Sequence, residues 1–237
     1  TLFATAACGG EEILIGYSGG LTGSLSELGI DGRKGIELAL LEYAANGGAR
    51  GFRLLVADDS NTAAGGARAV RTLAAAGCRI VIGPMTSAAA AGAIAEAERC
   101  GIVLLSPTVA AWSRTNVHQF FFSLFPTARL LGQFLGRWCA EAGALRVTAL
   151  SDDANRPYAD RVIEGFAATH ATGGPAFRIT FDSRRGLPLA GFVRAALETG
   201  PAALLVVACG ADTARICQEL AKAGNPLPVY TPPWAMT

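Results

Sequence analysis

An α/β fold of two doubly wound parallel-sheet lobes joined by a hinge is predicted by three observations. Short β-branched or leucine-rich runs alternate with amphipathic helical stretches. The alternation occurs in two series. Between the series lies one long polar-aromatic connection, "PTVAAWSRTNVHQ". Parallel strands joined by covering helices form such sheets, and right-handed crossovers gather the strands' C-terminal ends on one edge. The 237 residues suffice for one large or two small domains with a sizeable core.

In the first series, "EILIGYS" (12–18) reads as a strand. The helix in "DGRKGIELALLEYAANGG" puts Ile36, Leu40 and Tyr43 on one face and stops at Gly47-Gly48. "FRLLVAD" (52–58), a helix over 63–76, "RIVIG" (79–83), a helix from Ser87 and "IVLLS" (102–106) follow. The apolar run "FFFSLF" (120–125) comes after the long connection. The second series opens with a helix over 127–142 and strand "RVTALS" (146–151). Then come a helix after Tyr158, strand "FRITFD" (177–182), a helix after Leu189 and strand "ALLVVA" (203–208). A helix over 212–223 and strand "PVYT" (228–231) close it. The lobes are expected over 12–119 and 127–228, with 120–126 crossing between them. No low-complexity linker separates them, which predicts a stiff hinge.

Composition excludes several classes. A formal net charge of +1 with no basic run longer than Arg184-Arg185 offers nucleic acid no basic face. High apolar content with low net charge excludes disorder. No uninterrupted apolar stretch reaches eighteen residues. The first eleven residues, with "TLFATAACGG", resemble the tail of a bacterial lipoprotein signal lipidated at Cys8; the alternative is a disordered leader. Six cysteines without a C-x-x-C, and only His118 and His170 beside them, predict no metal site. Cys78 and Cys100 each precede a predicted strand of one sheet, so they could pair or remain buried thiols.

Ligands in such sheets bind beyond the strands' C-terminal ends. That rule selects "YSGGLTGSLSELG", "GPMTS", "SPTVAAWS", "SDDANRPY" and "CGADT". Thr86 and Ser87 begin a helix, where unpaired N–H groups and the positive dipole end favour an anion. The competing reading is that one hydroxyl caps the helix. Gly16, Gly19, Gly20 and Gly23 lack the G-x-G-x-x-G spacing, and there is no P-loop, G-x-S-x-G or H-E-x-x-H. Asp152-Asp153 reads as a turn cap rather than a catalytic pair. The sequence therefore predicts no cofactor and no enzyme.

Taken together, "GGLTGSLSELG", "GRKGIELALLEYAANGGARGFRLLVADDSNT", "VIGPMTSAAA" and "IVLLSPT" resemble the first lobe of bacterial periplasmic solute-binding proteins of the leucine/isoleucine/valine type. "VTALSDDANRPYADRVIEGF" and "ICQELAKAGNPLPVYTPPW" are similar to their second lobe. The resemblance implies a type I periplasmic binding fold and an extracytoplasmic receptor that delivers an amino acid or related carboxylate to the membrane subunits of an ABC importer. It leaves open a signalling sensor built on the same clamp, or an α/β enzyme. It assigns ligand contacts to Ser87 with Thr86, to Ser106, Thr108, Val109 and Ala110 after the third turn, and to Tyr158 as a closing aromatic. Gly210 and Trp234 stand at two further family contact positions. There the chain departs: Ala110 replaces a second hydroxyl, Cys209-Gly210 an aromatic, and Pro233-Trp234 the acid that meets a ligand ammonium. Family chains are longer, so 229–237 is expected to be a second crossing whose return to the first lobe is missing.

Overall fold

The computed structural model describes residues 12–23, 25–111, 119–186 and 188–236. Cys8, the leader and residues 112–118 of the long connection lie outside them. The chain divides into two compact units. The first runs to Val109 and includes the segment ending at Phe125; the second holds Ala110, Ala111 and everything from Pro126.

The first unit contains β1 (Ile13–Gly19), α1 (Ser26–Ala45), β2 (Phe52–Asp58), α2 (Ala63–Ala75), β3 (Ile80–Ile82), α3 (Ser87–Cys100), β4 (Val103–Ser106) and β5 (Phe121–Ser123). Its parallel sheet has the order β2-β1-β3-β4-β5. Residues paired across parallel strands point to the same side. Gly16, Val81 and Leu104 share the face covered by α2 and α3 and are buried. The other face meets α1, through Tyr17, whose hydroxyl donates to the Gly29 carbonyl. Away from that contact it stays half open, with Val56 39% exposed, Ile80 45% and Phe122 52%.

Helix α1 begins at Ser26, earlier than its periodicity suggests, because Gly29 is not a break. A side chain there would run into the Gly20 carbonyl, so glycine lets the helix press onto the β1 loop. Ile36 and Leu40 are half-buried, whereas Tyr43 is exposed and meets Phe52 edge-on at 5.2 Å. The segment 120–126 is not simply a crossing. Phe121 and Phe122 pair with Leu104 and Leu105, making β5 the edge strand of the first sheet. Pairing gives the backbone of this run a hydrogen-bonded ladder that a free connection would lack.

The second unit contains α4 (Ala128–Glu141), β6 (Val147–Asp152), α5 (Arg156–Ala167), β7 (Phe177–Phe181), α6 (Leu189–Glu198), β8 (Ala203–Val207), α7 (Gly210–Lys222) and β9 (Val229–Tyr230). The sheet order is β7-β6-β8-β9, with β6 and β8 buried throughout. Residues 229–237 were expected to leave this unit, yet β9 pairs with β8 and Trp234 is buried in the 3-10 turn Pro233–Met236. Val229 packs against the core of this unit, and Met236 at the end of the turn is exposed.

The cysteine pairing does not form. Cys78 is a buried free thiol beneath Gly16, before β3. Cys100 is free as well and ends α3 rather than leading β4, with its Sγ 3.6 Å from Glu96 Oε1 at the helix surface. Burial raises the Cys78 thiol above its ordinary range.

Helices α4 and α5 meet backbone to backbone. A Cβ on Gly165 would collide with the Arg129 carbonyl, and one on Gly132 with the Val162 carbonyl. Gly35 in α1 has open space instead. Gly165→Ala should therefore cost about 1–3 kcal/mol through overpacking. Gly35→Ala should add about 1 kcal/mol from helix propensity. Denaturant unfolding of the two variants should show opposite signs.

Candidate functional site

Three threonines stand at helix N-caps with extended backbone: Thr62 before α2, Thr86 before α3 and Thr127 before α4. Thr62 Oγ1 accepts from Gly65 N–H at 3.0 Å and Thr127 Oγ1 from Leu130 N–H at 3.3 Å. Thr86 makes no such bond. Its residue is 3% exposed and its Oγ1 is buried without a hydrogen-bond partner. A buried hydroxyl with no partner costs about 1–3 kcal/mol, and here it stands at the N-terminus of a fourteen-residue helix. Ser87, the first residue of α3, is buried beside it.

The turn that delivers Thr86 is gripped on three sides. Gly83 has φ +116, and a side chain there would strike the Ser18 carbonyl of β1. Ser106 Oγ, at the end of β4, donates to the Pro84 carbonyl at 2.7 Å. Thr108 Oγ1 donates to the Met85 carbonyl at 2.6 Å. Two residues expected to touch a ligand thus help to build the turn. The Ser106 oxygen also accepts from Val109 N–H at 3.0 Å, and the Val109 carbonyl accepts from Ser123 Oγ at 2.6 Å. Both backbone groups of Val109 are therefore paired within the unit. The Ala110 carbonyl accepts from Ala128 N–H at 2.7 Å, at the start of α4.

Helix α3 is rich in alanine because it lies tight against α2, with Ala89, Ala90, Ala93 and Ala97 fully buried. Gly66 and Gly92 let the two backbones approach. The far half is fixed electrostatically. Glu96 accepts from Arg71 Nε of α2 at 3.0 Å and from Arg99 Nη2 at 2.5 Å. The Arg71 and Arg99 hydrogen bonds draw the Glu96 carboxyl down to about 2, outweighing the opposing effect of burial.

In the second unit Tyr158 lies in the first turn of α5, which starts at Arg156 with Pro157 suited to that position. Tyr158 is buried and meets Trp234 edge-on, with ring centroids 5.6 Å apart. Burial pushes its phenol well above the ordinary range, opposed by a hydrogen bond from the Trp234 backbone. The structure thus brings together two of the expected contact residues. Gly210 opens α7, behind Cys209. Cys209 Sγ is 3.6 Å from Asp212 Oδ2, and burial raises the thiol to about 11.

Sequence reading missed the buried carboxyls that tie the loops. Asp59 accepts from Ser18 Oγ at 3.0 Å and from Asn61 N–H at 2.9 Å. Asp152 accepts from Ala154 N–H at 2.9 Å, as a turn cap should, and also from Ser183 Oγ at 2.7 Å. Burial raises both carboxyls above the usual range. The visible signal was the tetrapeptide Asp-Asp-x-Asn, which occurs at 58–61 and again at 152–155. No group of three or more metal-ligating side chains exists among the described residues, and no described helix is long and apolar enough to cross a membrane.

A family model described as "Periplasmic binding protein" matches residues 12–236. Among solved structures, the chain is similar to the branched-chain amino acid substrate-binding protein LivJ of Streptococcus pneumoniae in complex with isoleucine. The TM-score is 0.83 at 23% identity, covering 93% of this chain and 64% of that one. It is also similar to the leucine-binding protein LivK of Thermotoga maritima, with TM-score 0.79, 19% identity, and 94% and 64% of the two chains covered. A solute-binding protein of an R. palustris ABC transporter, in complex with benzoate, gives 0.83 at 17% identity over 95% and 63%. These likenesses carry the fold, and the chain spans under two thirds of each relative's length. No curated protein matches it.

The Glu96 cluster gives a signed pH dependence. A carboxyl whose folded pKa is depressed stabilises above its unfolded value, near 4.5, and loses that contribution as pH falls toward about 2. Glu96→Gln should therefore lower stability at pH 7, and the gap from the parent should close between pH 4.5 and 2. Denaturant melts at a series of pH values measure it.

Proposed function

Because this chain belongs to the periplasmic binding protein family, we propose that it is an extracytoplasmic receptor that captures a small carboxylate-bearing solute and delivers it to the membrane subunits of an ABC importer. The observation that carries the reading is the Thr86 hydroxyl, buried and unpartnered at the N-terminus of α3. A carboxylate supplies the acceptor that this hydroxyl lacks, and the helix amides and dipole favour its charge. Ser87 shares the contact. From the second unit the reading enlists Tyr158 with Trp234.

The proposed class is an aromatic or other amine-free acid ahead of an α-amino acid. Pro233 and Trp234 carry no charge for an ammonium. Of the nearby acids, Asp152 is hydrogen-bonded to Ser183 and Asp212 lies against Cys209 and Arg215. An ammonium taken from water without a counter-charge is costly. A solved relative in complex with benzoate, and others with 3,4-dihydroxybenzoic acid or isoleucine, mark the two ends of the comparison.

The test is a thermal-shift panel of benzoate, 3,4-dihydroxybenzoate, L-leucine and L-isoleucine, followed by calorimetry. Ligand at a hundred times its Kd should add about 2.7 kcal/mol to stability. Aromatic acids should shift the melt further than the amino acids do. Thr86→Val should weaken binding about tenfold to a hundredfold, the range for a hydrogen bond to a charged group. The same variant should melt no lower than the parent, since it removes a hydroxyl that has no partner. Unchanged affinity beside a stability loss of about 1 kcal/mol, the value of a helix cap, would overturn the anion-site reading.

A further inference from the structure

The two units carry the same side-chain clasp with donor and acceptor exchanged. In the first, Ser18 of β1 is in register with Ala57 of the edge strand β2, and Asp59 lies two residues beyond. In the second, Asp152 of β6 is in register with Phe181 of the edge strand β7, and Ser183 lies two residues beyond. A serine hydroxyl donates to the aspartate Oδ2 in both, at 3.0 Å and 2.7 Å. The aspartate Oδ1 in both accepts the backbone N–H two residues on, Asn61 and Ala154, each at 2.9 Å. Ser18, Asp59 and Asp152 are fully buried.

Each clasp stands where a ligand-bearing turn leaves the sheet. Ser18 is the residue against whose carbonyl Gly83 packs, at the start of the turn that ends in Thr86. Asn61, held by Asp59, donates to the Leu25 carbonyl at 3.1 Å before α1. Asp152 opens the 3-10 turn Asp153–Asn155 that feeds α5, with Tyr158 three residues past that turn. Ser183 N–H also donates to Asp152, at 3.1 Å, which ties the β7 loop to the same point.

We infer that Asp59 and Asp152 are equivalent positioning residues, one in each unit, which hold the Thr86 turn and the Tyr158 turn in place through a serine–aspartate bridge at matching register. The inference rests on the carboxylate-site reading for its purpose, but the bridge can be tested without any ligand. A buried bridge in a medium of low polarity holds its loop more firmly than an exposed one does. Asparagine at either position keeps an acceptor for the backbone N–H and offers a donor to the serine oxygen. Alanine keeps neither.

Amide hydrogen exchange on Asp59→Ala, Asp152→Ala, Asp59→Asn and Asp152→Asn measures the clasps directly. In the alanine variants, the amides of Asn61, and of Ala154 and Ser183, should exchange at least about tenfold faster, while those of the central strands β1 and β6 stay at the parent's rate. The asparagine variants should restore the slow exchange. Ser18→Ala and Ser183→Ala break one arm only, so they serve if the alanine variants at the aspartates fail to fold. With benzoate as the probe, the alanine variants should bind about tenfold more weakly and the asparagine variants like the parent. Exchange that stays slow in the alanine or serine variants would overturn the inference. So would acceleration spread equally over β1 and β6, or asparagine variants that behave like alanine. Clasps that pass on exchange in a protein that binds no carboxylate would leave the bridge standing and remove the functional reading instead.

Discussion

Around the turn from Gly83 to Thr86 two carbonyls are held by side chains from the end of the neighbouring strand, and the proposed site follows from the one hydroxyl left without a partner. Ser106 fixes the Pro84 carbonyl, Thr108 fixes the Met85 carbonyl, and Ser18 sets the floor on which Gly83 lies. The Thr86 oxygen is left buried and unpartnered at the N-terminus of α3. A hydroxyl in that position is an unfavourable feature of the fold, and a carboxylate of the proposed kind would relieve it. Stability and recognition therefore pull on the same atom in opposite directions.

The support behind that atom is distributed over the first unit. Helix α3 can present Thr86 reproducibly because alanine and glycine let it sit close to α2, and because Glu96 joins Arg71 and Arg99 across the far end. Exposed ion pairs add little singly. This carboxylate is more sheltered and receives two guanidinium groups, which is why its acidity responds so strongly. In the second unit the corresponding support is packing, with α4 and α5 in backbone contact through Gly132 and Gly165 and with Trp234 edge-on to Tyr158.

Much of the fold was legible in the sequence because its signals are local. "FRLLVAD" reads as a strand over the span that β2 occupies, and the helix from Ser87 begins where α3 does. Errors arose where tertiary contact overrode local pattern. The loop "YSGGLTGSLSELG" reads as running to Gly29, yet α1 begins inside it at Ser26, with Gly29 against the Gly20 carbonyl. Cys100 reads as the lead into a strand, though it is the last turn of α3. The apolar run at 120–125 carried no sign of whether it would cross or pair. In the candidate site, residue type pointed to this turn but not to the division of labour within it. Ser106, Thr108 and Thr86 are all hydroxyl residues in strand-end loops, and only three-dimensional pairing separates the two that build from the one that is unpaired. The clasps were hidden for a related reason, since Asp59 and Ser183 find their partners on neighbouring strands far along the chain.

The half-open face of the first sheet has a thermodynamic consequence of its own. Parallel sheets are ordinarily covered on both sides, and here one side keeps Val56, Ile80 and Phe122 partly in water. Each square ångström of that apolar surface removed from water is worth about 25 cal/mol. Any apolar layer that settles there thus adds to the folding free energy of the first unit according to its occupancy. Covering Val56, Ile80 and Phe122 would raise the stability of this unit in proportion to the apolar area taken out of water.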